Sequence, residues 1–289
     1  MKVNMNELTK VYGKKSALDG ITLELEENKI YGLLGRNGAG KTTLMQILAG
    51  QILPTGGSVL INDQKPFENQ EITESICLIN ESENFKKGLK IKDVLKIARC
   101  FYPNWSLETA EKLLEDFYLH GNMKVKTLSK GMESALGITV GLASRAPITI
   151  FDEPYIGLDA AARSRFYDLL LEEYEEYPRT FILSTHLIDE VSRLLEEVLI
   201  VSEGRLLMQK NADELREESF LVNGSSAAVA EFVKNKNVIY RKSFGSMEQA
   251  VLYGENRMEA KKAGLQVEHV PVQDLMVYLT AKPKGGISA

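Results

Sequence analysis

GRNGAGKT, at residues 35–42, is the stretch of this sequence that decides its fold. It matches the spacing G-x-x-x-x-G-K-[ST] and stands between an apolar strand pattern and a helical one. Glycines in such a loop let backbone N–H groups turn inward around phosphate oxygens. The stretch therefore predicts a phosphate-binding loop. The residues that we expect to bind nucleotide here are Asn37, Gly38, Ala39, Gly40, Lys41, Thr42 and Thr43.

A second stretch, ITIFDE at residues 148–153, predicts a buried strand that ends in two acids. The hydroxyl of Thr42 and the carboxylate of Asp152 are hard oxygen ligands, which suit Mg²⁺. Glu153, one residue further on, can polarise an attacking water as a general base. An acid after a buried strand is common, so this pair alone is weak evidence for a metal site. Together with the phosphate loop it becomes strong evidence.

Composition excludes some classes of protein. The chain has 289 residues, and 40 acids against 35 bases give a net charge of -5, so nucleic acid is not an expected partner. Cys77 and Cys100 have no metal-like spacing and indicate a reducing compartment. The N-terminus has no secretory pattern, and no stretch reaches the roughly 18 apolar residues of a membrane helix. We therefore expect a soluble chain whose membrane role, if any, comes from a partner.

Strand and helix patterns alternate through most of the chain, which predicts an α/β fold with a largely parallel sheet. We expect a nucleotide-binding domain at residues 1–215, with a helical subdomain at about 85–140. Residues 216–289 predict a small α/β accessory domain, with the order strand, helix, strand, strand, helix, strand, helix. Its tail, KPKGGISA at 282–289, has the composition of a disordered segment.

Four further motifs carry a family resemblance. LSKGM at 128–132 resembles the LSGGQ signature of ABC ATPases, and EPYIGLD at 153–159 resembles their D-loop segment. STH at 184–186 resembles the switch-histidine segment, and Tyr12 in VYGK resembles the aromatic A-loop. All lie in family order, so about residues 1–210 resemble an ABC transporter ATPase, most similar to the YtrB-like group that includes ATPases of phenol-soluble-modulin peptide exporters.

The resemblance implies a P-loop NTPase fold with a RecA-like core, ATP and Mg²⁺ as cofactors, and hydrolysis by Glu153 with His186. It implies that Tyr12 stacks on adenine and that Asp159 acts in the D-loop. It further implies a second ATPase subunit, identical or paralogous, and a membrane permease that holds both at the cytoplasmic face of the membrane. The residues expected to act on ATP bound by the partner subunit are Leu128, Ser129, Lys130, Gly131 and Met132.

The sequence departs from the family pattern near the Mg²⁺ site. Where the family has a glutamine that reaches the metal, the alignment places Glu81, with Asn80 as the neighbouring alternative. A carboxylate can ligate Mg²⁺, but it adds negative charge near the γ-phosphate. Lys130, Met132 and Glu133 also differ from the commonest signature.

Three other functions fit parts of the sequence. A DNA-repair or chromosome-maintenance ABC protein needs long coiled coils or DNA-binding modules, and a translation-associated one needs two cassettes in one chain. A nucleotide-gated regulator without catalysis is disfavoured because Lys41, Asp152, Glu153 and His186 are all present. The interpretation kept is an ATP-hydrolysing subunit that powers a separate permease, an exporter of peptides or amphipathic molecules, and the sequence does not identify the cargo.

Overall fold

The computed structural model describes residues 1–185 and 188–280. These form two compact units, one of residues 1–185 with 194–209 and one of residues 188–193 with 210–280. The units divide at 209/210, whereas the sequence analysis placed the boundary at 215/216; the helix at Ala212–Glu218 belongs to the second unit. His186 and the tail predicted to be disordered, 282–289, lie outside the described residues.

Nine strands and seven α-helices run in order through the described part of residues 1–211. They are β1 (Val3–Tyr12), β2 (Lys15–Leu25), β3 (Ile30–Leu34), α1 (Lys41–Leu48), β4 (Gly56–Ile61), α2 (Gln70–Glu74), β5 (Ile76–Ile79), α3 (Ile91–Phe101), α4 (Leu107–Asp116), α5 (Lys130–Ala143), β6 (Ile148–Asp152), α6 (Ala160–Glu176), β7 (Thr180–Ser184), α7 (Ile188–Val191), β8 (Glu197–Ser202) and β9 (Arg205–Asn211). The shortest of these helices is α7, with four residues. It belongs to the second unit.

The first unit contains two sheets. Six strands lie in the order β5-β6-β7-β3-β8-β9, and the pairs β5/β6, β6/β7, β3/β7 and β3/β8 are parallel. Every residue of β3, β6 and β7 is buried, as expected for parallel strands that are covered on both faces. A second sheet, β2-β1-β4, is antiparallel. The predicted α/β fold with a largely parallel sheet is confirmed.

Helix α1 packs in a core that takes residues from both sheets. Its Leu44, Met45 and Ile47 share one apolar cluster with Leu23 of β2 and Ile150 of β6. A helical segment, α3 to α5, lies between β5 and β6 in the chain, where a helical subdomain was expected, and α4 packs on α5. This shared core therefore anchors α1 to both sheets.

The second unit has its own sheet and core. Its elements are α8 (Ala212–Glu218), β10 (Ser219–Ser225), α9 (Ser226–Phe232), β11 (Val238–Phe244), β12 (Met247–Tyr253), α10 (Arg257–Lys262), β13 (Gln266–His269) and α11 (Val272–Thr280). From β10 onward this is the element order that the sequence predicted. The strands pair antiparallel in the order β11-β12-β10-β13, and Phe220, Val222 and Leu252 are central to the core beneath them.

Membrane-spanning segments were sought in the described ranges 1–185 and 188–280. None of the helices there is both long enough and apolar enough to cross a bilayer.

Candidate active site

The carboxyl ends of four parallel strands meet at one edge of the six-stranded sheet. Leu33 of β3 and Asp152 of β6 both lie opposite Ser184 of β7. Ile79, the last residue of β5, lies opposite Phe151 of β6. The segments that follow these strands therefore gather at this edge, which is where ligands bind in open α/β sheets.

A cleft of about 390 Å³ opens at this edge. Every residue of the predicted phosphate loop from Asn37 to Thr43 lines it, as do both acids of β6 and the loop after it. Glu81 and Asn80, both after β5, were the two alternatives for the position that reaches the metal. Among the described residues, Glu81 lines the cleft and Asn80 does not. The full lining is Tyr12, Lys15, Ala17, Asn37, Gly38, Ala39, Gly40, Lys41, Thr42, Thr43, Glu81, Asp152 and Glu153.

The phosphate loop depends on glycine at two positions with left-handed backbones. Gly38 has φ 82° and Gly40 has φ 109°, and a Cβ on Gly40 would lie 2.5 Å from the carbonyl oxygen of Ala17. Lys41 is buried, and its Nζ donates a 2.8 Å hydrogen bond to the carbonyl oxygen of Gly35. Burial lowers the pKa of Lys41, and the nearby carboxylates of Glu153 and Asp152 oppose that shift. An anion bound in the loop would stabilise the charged form of this buried lysine.

Two oxygen ligands lie together beside the loop. The hydroxyl of Thr42 donates a 2.8 Å hydrogen bond to Oδ2 of Asp152, which is buried. Among residues 1–185 and 188–280, no three histidine, cysteine or acidic side chains cluster as a metal cage. A hydroxyl and a carboxylate alone fit Mg²⁺, which keeps several waters and takes its remaining ligands from substrate phosphates.

Glu153 begins the turn that follows β6. Its backbone is left-handed, at φ 51°, which is uncommon for a residue with a side chain. Its N–H donates a 3.0 Å hydrogen bond to the carbonyl oxygen of Ser184, so the turn is tied to the end of β7. The side chain is buried, and its Oε2 accepts a hydrogen bond from the hydroxyl of Tyr155. His186, predicted as its catalytic companion, lies outside the described residues.

Tyr12 ends β1 at the mouth of the cleft. Its side chain is about half exposed, and the ammonium of Lys10 lies 5.0 Å from the centre of its ring. An aromatic ring with accessible surface at the mouth of a phosphate site can stack on a nucleotide base.

The signature motif lies on a second surface. A pocket of about 550 Å³ is lined by Ser129, Gly131, Met132 and Asp159 together with exposed groups such as Tyr118, and it shares no residue with the cleft. Ser129 caps α5 by accepting a 3.2 Å hydrogen bond from the N–H of Met132, and the preceding Leu128 ends a 3₁₀ turn. The signature pocket and the cleft with the phosphate loop are therefore separate surfaces of the described chain.

Backbone packing joins the signature to the D-loop segment. A Cβ on Gly131 would lie 2.3 Å from the carbonyl oxygen of Gly157, so glycine is needed there whether or not a nucleotide binds. Ser134 donates a 2.7 Å hydrogen bond to the carbonyl oxygen of Ile156. Asp159 caps α6 by accepting a 2.8 Å hydrogen bond from the N–H of Ala162.

Two of the departures from the family pattern are in contact. Nζ of Lys130 lies 3.3 Å from Oε1 of Glu81, and both side chains are about half exposed. Asn80 has a different role, because its backbone N–H and carbonyl group both bond the side chain of Asn84 at 2.8 Å. The loop after β5 is therefore closed by Asn80 and presents Glu81 to the cleft.

Sequence reasoning missed four residues near this site. Lys15 and Ala17 line the cleft, and Tyr155 and Thr185 are linked to Glu153 by hydrogen bonds. Lys15, a basic residue three positions after Tyr12, was a usable signal for a phosphate site. Tyr155 stood within a motif of which only Asp159 and the first glutamate were interpreted.

Comparisons with known proteins identify the family. A family model described as ABC transporter matches residues 18–156. The chain is 25% identical to the ABC transporter ATP-binding protein YtrB of Bacillus subtilis (strain 168), over 75% of this chain and 74% of that protein. It is 32% identical to the bacitracin transport ATP-binding protein BcrA of Bacillus licheniformis, over 75% of this chain and 72% of the relative.

The fold is also known from solved structures. A structure of an ATP-binding subunit of an ABC transporter superposes with a TM-score of 0.68 at 24% identity, over 75% of this chain and 92% of that one. Fold and cleft together define a P-loop ATPase. Within that class, the chain belongs to the family of ABC transporter ATP-binding proteins, and it is the ATP-hydrolysing subunit of a transporter.

Proposed function

We propose that this cleft binds and hydrolyses MgATP to drive a separate membrane permease. The observation that carries this proposal is the convergence, at one sheet edge, of a buried lysine in a glycine loop, a hydroxyl–carboxylate pair and a buried glutamate. Lys41 and the loop N–H groups bind the β- and γ-phosphates. Tyr12 stacks on adenine, which leaves the triphosphate directed into the cleft.

Thr42 and Asp152 are the residues that would hold Mg²⁺, with Glu81 as a third, charged candidate. The ion supplies charge neutralisation at the phosphates when it is bound. Glu153 accepts the proton of the attacking water, because it is the buried carboxylate next to the metal ligand. We assign His186 to the same step by sequence alone.

The signature face acts on ATP held by a second ATPase subunit. Ser129 and Gly131 stand at the start of α5, on a surface that shares no residue with the cleft of the same chain. We infer that two subunits, identical or paralogous, pair head to tail, and that residues 128–132 and Asp159 of each close over the nucleotide of the other. ATP then becomes part of the interface, so that its hydrolysis separates the subunits.

An apolar groove beside the Glu81 loop is the proposed docking site for the permease. It is continuous with that loop through Asn84 and Phe85, and Ile97 and Phe101 of α3 line it while remaining 44% and 62% exposed. Docking there would act on the loop that presents Glu81 to the cleft. The subunit would thus be held at the cytoplasmic face of the membrane. The name of BcrA refers to bacitracin, a peptide, which favours a peptide or amphipathic cargo that is exported.

Purification from detergent-solubilised membranes tests this function. We expect a membrane-spanning protein to co-purify and to raise the ATPase rate. Phe101→Ser should abolish both effects, and Phe244→Ser, an exposed phenylalanine of the second unit, should preserve them. An ATPase rate that no membrane protein changes would contradict the proposal.

A further inference from the structure

A line of three hydroxyl and carboxylate groups crosses the sheet edge behind the cleft. The hydroxyl of Thr185, just after β7, donates a 2.8 Å hydrogen bond to the hydroxyl oxygen of Tyr155. Tyr155 in turn donates to Oε2 of Glu153. Tyr155 is 3% exposed and Thr185 is 1% exposed, so water does not compete for these bonds.

We propose that Tyr155 is a positioning residue for Glu153, holding one carboxylate oxygen so that the other faces the attacking water. The proposal rests on the role of Glu153 as general base given above. Tyr155 is buried and is not among the residues that line the cleft. It acts through the carboxylate that it binds.

Glu153 also lies within the electrostatic reach of Lys41, which would draw an unrestrained carboxylate away from water. Its negative charge acts on the buried ammonium of Lys41 across the cleft. A carboxylate released from Tyr155 would turn toward that cation and leave the position from which it can accept a proton from water. A general base works only within hydrogen-bond reach of the proton that it takes.

Thr185 sets the direction of the Tyr155 hydroxyl. Because Thr185 donates to the phenol oxygen, the phenol proton is left for Glu153. The arrangement also links the ends of β6 and β7, which the backbone bond from Glu153 to Ser184 already joins. The end of β7 therefore fixes the backbone of Glu153 through Ser184, and Tyr155, supported by Thr185, fixes its side chain.

Tyr155→Phe tests the proposal while keeping the ring volume. A hydrogen bond to a charged group is strong enough that we expect kcat to fall by about 10-fold or more, with KM for ATP changed less than about twofold. Thr185→Val should cause a smaller fall in kcat, because the phenol proton can still reach Glu153. A kcat that is unchanged or raised in Tyr155→Phe would overturn the proposal, since a raised value means that the hydroxyl restrains Glu153 from acting.

A double-mutant cycle with Glu153→Gln separates positioning from general damage to the fold. If Tyr155 acts through Glu153, adding Tyr155→Phe to Glu153→Gln causes no further loss in single-turnover hydrolysis. Additive losses would overturn the proposal. If Glu153→Gln alone leaves hydrolysis intact, the proposed general base is wrong, which is a distinguishable failure.

The same cycle measured by urea unfolding without nucleotide reports the contact itself. We expect the free energies of unfolding of the two single variants to be non-additive. Tyr31→Phe is the matched control, because its buried hydroxyl bonds the backbone of Glu26, accepting from N–H at 2.7 Å and donating to the carbonyl at 3.2 Å. It should lower stability and leave kcat unchanged. Additive unfolding energies would show that Tyr155 and Glu153 are not coupled.

Discussion

Helices α1 and α5 both begin at a surface where phosphate is expected, yet their first turns are built differently. Helix α1 begins after Gly40, which offers no side chain to its N–H groups, and the buried Lys41 is its first residue. Helix α5 begins after Ser129, whose hydroxyl caps it, and α6 nearby is capped by Asp159. Orphan N–H groups and a positive helix end attract anions most where no side chain has satisfied them.

The difference indicates that the two helix ends have different functions, one in nucleotide binding and the other in subunit pairing. We infer that the cleft at α1 binds a triphosphate within one chain. We also infer that the signature face, whose helix is already capped by Ser129, contacts nucleotide only when a second subunit brings it. Changes in the cleft should therefore alter the isolated subunit strongly. Changes in the signature face should alter subunit pairing and leave the affinity of one chain for ATP in place.

The largest expected effect is on chemistry in the cleft. Glu153→Gln should slow steady-state ATP hydrolysis by at least ~10²-fold, because positioned general bases contribute that much. Affinity for ATP should persist, since Lys41 and the loop N–H groups are intact. Glu71→Gln in the first turn of α2 is the control and should hydrolyse ATP normally. Near-normal turnover in Glu153→Gln would refute its role.

The next largest effect is expected on ATP affinity, through the stacking of Tyr12 on adenine. Tyr12→Ala should weaken binding of ATP by about 1–3 kcal/mol, the range for base–aromatic stacking. Tyr12→Phe should be nearly silent, because the ring is kept. Equilibrium titration with a fluorescent ATP analogue measures both. If Phe is as damaging as Ala, the hydroxyl carries the interaction and the stacking account is wrong.

The Glu81–Lys130 pair joins the two regions, and its effect should be smaller. Glu81→Gln removes a negative charge from the lining of the cleft, where we expect the γ-phosphate, so the basal ATPase rate of the isolated subunit should rise by up to about fivefold, the scale of an exposed ion pair. Stimulation by the permease should shrink correspondingly. Lys130→Gln breaks the same pair but keeps the Glu81 charge. Comparison of the two ATPase rates therefore separates the effect of losing the ion pair from the effect of losing the negative charge. A lower basal rate in Glu81→Gln would show that this carboxylate is a productive Mg²⁺ ligand.

The smallest effect is expected from the second unit. Residues from Ser219 onward contribute nothing to the lining of the cleft within the described chain, so their deletion should leave ATP affinity intact. The truncated chain must first be shown to be folded by circular dichroism, because α8 would lose its neighbour β10. Loss of nucleotide binding in a folded truncation would contradict the assignment of ATP binding to the first unit.

The sequence predicted those parts of the site whose residues lie together in one short segment of the chain. The glycine loop and the acids of β6 are local, because spacing along the chain sets their chemistry. The strand β5 was not predicted, since it is only four residues long and its apolar run has no period of its own. The bond from Tyr155 to Thr185 and the pairing of Glu81 with Lys130 span 30 and 49 positions, so only the folded sheet edge brings them together.

The division between the units differs from the predicted boundary where burial overrides polarity. The sequence analysis placed the boundary at 215/216, inside the charged segment 212–218, whereas the units divide at 209/210. Residues 212–218 form α8, because Ala212 and Leu215 are buried while the acids of the same helix face outward. A charged segment with apolar residues three apart is an amphipathic helix, and that spacing was present in the sequence.

The central claim is that the cleft of one chain and the signature face of another make one ATP site. Its most direct test is the molar mass of Glu153→Gln with saturating MgATP, measured by light scattering, alone and combined with Ser129→Asp on the signature face. Aspartate can still cap α5 but brings a negative charge to the nucleotide of the other subunit. The account predicts an ATP-dependent dimer for Glu153→Gln and monomers that still bind ATP when Ser129→Asp is added. A Glu153→Gln chain that binds ATP and stays monomeric, while the wild-type chain hydrolyses ATP as a monomer, would contradict it.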